Sequence, residues 1–260
     1  MLIAMTVLIS VLLTLALSLV NTRRLPLDEL KSNAEIADKY LMIVTAVYGI
    51  FLAFVITDLW ATNDKAIDIV NSEASELVYC GMLTSGLYPD ERQQILERLR
   101  AYAASVIHQE WPIMEHARGA KEILDYGPYE ALWQSILNLP TANTQTHEIR
   151  SRLMDAIHEI GDKRRMRLLL SGDRLTLFLK IAIVAGAIAT IVPITYLRAS
   201  RWRFQIVGSL CAVGLLTMMV CLVFDLSSEY SGLSPISVEP FQTAYEKLGF
   251  IAADPRFKGF

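Results

Sequence analysis

The residues best placed to do chemistry lie in one apolar run. Tyr48, Phe51, Phe54, Val55 and Asp58 fall close together in Leu41–Trp60. Phe51, Phe54 and Asp58 recur at three and four, which puts them on one face of a helix. An aromatic stripe that ends in an acid can narrow a passage and hold charge at its mouth. The plainer reading packs the aromatics against neighbouring helices and leaves Asp58 hydrated at the membrane surface. Other chemistry is thinly supported. His108, His116, His147 and His158 lack metal-ligand spacing, and Cys80, Cys211 and Cys221 form no Cys-x-x-Cys pair. No nucleophile elbow or phosphate-cradling glycine loop is present. No catalytic group, metal or cofactor is expected, and the chain does not read as an enzyme.

The elements that must position these residues are apolar and long. Leu2–Val20, Leu41–Trp60, Leu175–Leu197 and Phe204–Leu226 are each close to the roughly 20 residues a helix needs to cross a bilayer. Lipid offers the backbone no hydrogen bonds, so such runs must be helices. The first run lacks a basic start and a small-x-small cleavage pattern, and reads as a retained anchor. Four crossings leave 21–40 and 198–203 as short loops on one side. Lys and Arg near the span ends nearly balance and leave the orientation open. Lys180 near the start of the third span can snorkel to the headgroups. Ala182, Gly186 and Ala189, and then Gly208, Ala212 and Gly214, would let helices approach closely.

Residues 61–174 read as helical throughout, with no strand alternation or hairpin signal. Ala66, Val70, Ala74, Leu77 and Gly81 continue the second span as a helix running into water. Ser85-Gly86 closes it and Pro89-Asp90-Glu91 opens the next helix. Trp111-Pro112 ends or kinks that helix. A short helix carries Leu132, Trp133 and Ile136, and a last one starts near Thr146 and breaks at Ser171-Gly172. Glu73 and Glu76 are expected to pair with Lys163-Arg164-Arg165 across the bundle. No linker separates membrane and polar parts, so both are expected to form one folding unit. The expected fold is an all-α membrane protein with four transmembrane helices and a helical domain inserted between the second and third. Its parts are 1–60 (first transmembrane pair), 61–174 (helical domain), 175–226 (second pair) and 227–260 (C-terminal tail). A net charge of −3 without a basic block argues against nucleic acid as a partner.

Tyr48-Gly49-Ile-Phe51-Leu-Ala-Phe54-Val-Ile-Thr-Asp58-Leu-Trp60 resembles the second span of the bacterial bestrophin-like family of four-span membrane proteins. Glu73-Ala74, Tyr102, Glu110-Trp111-Pro112-Ile-Met114, Leu132-Trp133, Arg164-Arg165 and the ending Gly232…Pro240-Phe241 fit it as well. The resemblance covers about residues 33–248. One stretch departs: where the family often has Asp-Arg-Pro-Phe-Ser-Gly, this chain has Ser227-Ser228-Glu229-Tyr230-Ser231-Gly232. Kinship with bestrophins implies a homo-oligomeric channel for ions, anions among them, in a bacterial inner membrane. It implies a pore lined by the second span, with Tyr48, Phe51, Phe54 or Val55 at a neck and Asp58 near a mouth. The implied partners are the lipid bilayer, further copies of the chain, and ions. Two other readings fit the pattern: a non-conducting scaffold or sensor whose helical domain binds a partner, and a stator-like proton-channel component.

Overall fold

The structure, a computed structural model, describes residues 27–116, 127–140, 144–172, 175–194, 202–227, 230–232 and 235–254, together with Ser10, Leu12, Thr14 and Ala16. Backbone alone is described at 27–37 and 202–206. The described regular structure is helical. Helix α1 spans Leu27–Leu83, α2 Pro89–Ser105, α3 Trp111–Glu115, α4 Gly127–Leu137, α5 Thr144–Leu170, α6 Leu177–Ile194, α7 Trp202–Leu226 and α8 Glu239–Ala253. A 3-10 turn, Thr84–Gly86, follows α1, and a π turn, Val106–Glu110, joins α2 to α3.

Three described helices are long and apolar enough to cross a membrane: the one within Asp38–Gly86, Leu177–Ile194 and Val207–Leu226. The expected first span, Leu2–Val20, lies outside the described residues apart from the four isolated positions above. The expected loop at 21–40 is corrected in its second half, because α1 already begins at Leu27. No proline or glycine stands between Pro26 and Gly49, so nothing in the sequence stops a helix there.

The chain divides into two compact units rather than one: Met1–Ala61 with Leu175–Ser227, and Thr62–Arg174 with Ser228–Phe260. Helix α1 belongs to both. In the first unit, Tyr48, Leu52, Val55 and Leu59 of α1 form a core with Leu175, Ile183 and Val223. Gly186 makes room for this packing: a Cβ there would collide with the Tyr48 ring. Gly208 and Gly214, expected at close helix contacts, have nothing within 4 Å of such an atom.

The second unit has a larger core. Leu77, Ile95, Leu99, Tyr102, Leu132, Ile136, Leu153 and Ile157 meet there from α1, α2, α4 and α5. Helix α2 starts with Pro89 and carries Asp90 and Glu91 in its first turn, where acids suit the exposed N–H groups. Pro112 does not end the helical path. Its ring would clash with the carbonyl four residues back in a regular helix, and the wider π turn directly upstream accommodates it. The stretch 227–260 is more than a tail. Phe241, Ala244, Leu248 and Ile251 of α8 recur at three, four and three, and all are buried in this core.

Candidate functional site

The five residues singled out on α1 divide between two faces. Tyr48 (6% exposed) and Val55 (9%) belong to the buried side of the membrane unit. The Tyr48 hydroxyl donates to the Ile183 carbonyl at 2.7 Å. Phe51 is half-buried, with its ring stacked on Tyr48 at 6.2 Å between centroids. Phe54 and Asp58 point away, and Phe54 is 73% exposed. They extend an exposed stripe through Ile43, Val47 and Ile50, spaced by four and three. Phe51 therefore stands between two stripes, which the sequence pattern had merged into one. Lys180, in the first turns of α6, is half-buried.

The second unit holds an ion network that burial has closed off. Arg167 of α5 has no exposed surface, and neither has Glu73 of α1. The Arg167 guanidinium donates through Nε to Glu73 Oε2 at 2.8 Å and through Nη2 to Glu73 Oε1 at 3.0 Å. Nη2 also donates to Glu110 Oε2 at 2.7 Å, and Nη1 to Met114 Sδ at 3.1 Å. Arg164 Nε donates to Glu110 Oε1 at 2.8 Å. The Tyr102 hydroxyl donates to Glu73 Oε1 at 2.6 Å. Two carboxylates thus meet two guanidiniums, and each carboxylate oxygen accepts at least one bond, as buried charge requires. Burial by itself disfavours the Arg167 charge, but Glu73 and Glu110 more than offset it and hold its pKa well above the ordinary value. Burial, then the Glu73 charge, pushes the Tyr102 phenol well above its usual range, although Arg167 pulls the other way.

Aromatic rings complete the enclosure. Phe241 lies against Arg167, with its centroid 5.3 Å from the guanidinium carbon. Trp111 packs edge-on against Phe241 at 6.1 Å and against Tyr230 at 5.5 Å. The Glu110-Trp111-Pro112-Ile113-Met114 run, Tyr102, Glu73 and Phe241 are thereby explained as the walls of one buried charge cluster. Tyr230, in the stretch that departs from the family pattern, supplies an aromatic ring to those walls.

The expected pairing of Glu73 and Glu76 with 163–165 is corrected. Glu73 takes Arg167, a turn further on, because only the Arg164 and Arg167 face of α5 points inward. Arg165 sits outside, 3.4 Å from Asp162. Sequence spacing puts Glu110 on one stripe with Ile95, Leu99, Tyr102 and Val106, all buried here, but only tertiary packing shows that Arg164 and Arg167 are its partners. The four histidines are exposed, with His158 Nε2 3.7 Å from Asp162. Among the described residues no group of three or more His, Cys, Asp or Glu is arranged to hold a metal ion.

Apolar spanning helices and a charge-centred helical unit define an all-helical integral membrane protein. The sequence model of the Bestrophin-like domain matches residues 8–241, and the chain belongs to the bestrophin-like family. Two solved structures share its fold. One is a point mutant (isoleucine to threonine) of a bacterial bestrophin homologue from Klebsiella pneumoniae. It is 13% identical with a TM-score of 0.69, and the match covers 98% of this chain and 100% of that one. The other is a crystal structure of a membrane protein with a proline-to-alanine substitution. It is 12% identical with a TM-score of 0.66, and the match covers 95% of this chain and 98% of that one. No curated protein matches the chain.

Proposed function

We propose that the protein is a homo-oligomeric ion channel of a bacterial inner membrane, with α1 lining a central pore. One observation carries this reading: an apolar stripe on a spanning helix, Ile43, Val47, Ile50 and Phe54, is exposed among the described residues and ends at Asp58. Membership of the bestrophin-like family supports it. Phe54 forms the neck, and Asp58 sets the field at one mouth. Tyr48, Phe51 and Val55 shape the pore from behind by fixing the rotation of α1 against α6 and α7. Copies of the chain and lipid are the partners.

Purified protein in planar bilayers tests the proposal. Current under a salt gradient is expected, with a reversal potential that shifts toward anion preference in Asp58→Asn. Phe54→Ala is expected to widen the neck and raise unitary conductance. Absence of current in every salt, or a strictly monomeric particle, would overturn the reading.

A further inference from the structure

The second unit carries two recesses on either side of Tyr79, which lines both. One is a groove of about 760 Å³ between α1 and the α8 region, lined by Ile67, Asn71, Val78 and Met82 on one wall and by Thr243 and Lys247 on the other. Ile67, Tyr79 and Met82 are exposed apolar side chains there. The other recess, of about 340 Å³, lies between α1 and α5, and its lining includes Glu76, Asp155 and Glu159 with Arg152 and His158. Among the described residues neither Lys247 nor Asp155 or Glu159 makes an ion pair, and Lys163 faces Glu76 without forming one. Glu239 lines the groove and Arg152 the recess, so each surface carries both signs.

We propose that the groove of one copy receives the acidic recess of a second copy of this chain, with Lys247 entering among Glu76, Asp155 and Glu159. The proposal rests on the oligomeric channel reading above and names the surfaces that build the oligomer. Two features select a second copy as the occupant. The excess negative charge of the recess matches Lys247, and Arg152, which pairs with Glu148 on its own helix at 2.7 Å through an exposed contact, would be shared with Glu239 in the same pairing. The surfaces are also unlike each other and flank one ridge of α1. A contact between two different patches repeats head to tail and closes into a ring when the rotation allows, whereas a two-fold dimer would need one self-complementary patch. Burying exposed Ile67, Tyr79 and Met82 under the neighbour supplies the apolar part of the contact.

Full-length protein with Cys211→Ser and Cys221→Ser provides the test, Cys80 being retained because it is fully buried. Lys247→Cys combined with Glu159→Cys is oxidised in detergent and run without reductant. A ladder of covalent multimers is expected from the double variant and none from either single one. In a separate pair, Lys247→Glu is expected to lower the oligomer's resistance to dilution at least tenfold, and added Glu159→Lys to restore it. Oligomers that conduct but give no ladder would overturn this interface and leave the channel reading standing. A covalent dimer from Lys247→Cys alone would mean a two-fold contact and also overturn it. Monomers without current would sink both.

Discussion

Helix α1 behaves in opposite ways in its two halves. In its membrane half only 11% of the most apolar stretch is buried. Past Thr62 the same helix buries Ala66, Val70, Ala74 and Leu77, and even the carboxylate of Glu73. The difference follows from the solvent each half meets. A span gains nothing by hiding leucine from lipid, so its outward face is free for other copies or for a pore. A helix in water must cover its apolar face within the chain. The membrane unit therefore keeps its complementarity for outside partners, and the helical unit uses most of its own internally, on a core centred on charge.

The largest expected effect breaks that internal centre. Arg167→Met leaves Glu73 and Glu110 buried without their shared countercharge, which should cost about 3–5 kcal/mol. A melt followed by intrinsic fluorescence in detergent should show a steep loss of stability, or no monodisperse protein at all. Arg165→Met removes only an exposed pair and should stay within roughly 0.5 kcal/mol. Equal melts for the two variants would mean that the buried network does not hold the unit together.

The next effect is smaller and depends on pH. Tyr102→Phe removes a hydroxyl that donates to a buried carboxylate, worth about 1.5–3 kcal/mol at neutral pH. The folded state holds the phenol proton more tightly than the unfolded chain, whose value is near 10.0. That stabilisation is complete below about pH 10 and is withdrawn as pH rises past it, by about 1.4 kcal/mol per unit until the folded pKa is reached. Parent and variant melting curves should converge above about pH 10. A constant gap up to the alkaline limit would place the Tyr102 proton outside this account.

Much of this contrast is legible in the sequence, and the limits have physical causes. Three of the expected spans are legible because length and apolarity are properties of composition. The continuation of α1 past Trp60 is legible because Ala66, Val70, Ala74 and Leu77 keep a helical period. Helix α8 has the same kind of period at Phe241, Ala244, Leu248 and Ile251, a signal available within the stretch read as a tail. The Glu110–Arg164 and Glu73–Arg167 pairs are hidden because they join residues more than fifty positions apart, which only tertiary packing brings together. The rotation of α1 is hidden for a further reason. Tyr48, Phe51 and Val55 form one three-four series and Phe51, Phe54 and Asp58 another. Only the packing against α6 and α7 separates them.

The smallest expected effect on stability is that of Phe54→Ala, set against Tyr48→Ala as a test of that rotation. Phe54 is 73% exposed while Tyr48 is 6% exposed and bonded to the Ile183 carbonyl. Tyr48→Ala should cost roughly 0.6–1.7 kcal/mol for its interhelical hydrogen bond, with the packing against Gly186 lost in addition. Phe54→Ala should stay within roughly 0.5 kcal/mol, because its side chain is exposed among the described residues. Their effects on current should run the other way for equal amounts of folded protein, with Phe54→Ala changing unitary conductance the more. If Phe54→Ala instead melts as early as Tyr48→Ala, something covers that face in the assembled protein. The stripe from Ile43 to Phe54 would then be a contact between copies rather than a pore wall, and Asp58, one turn further on, would have to hold the mouth without a neck beside it.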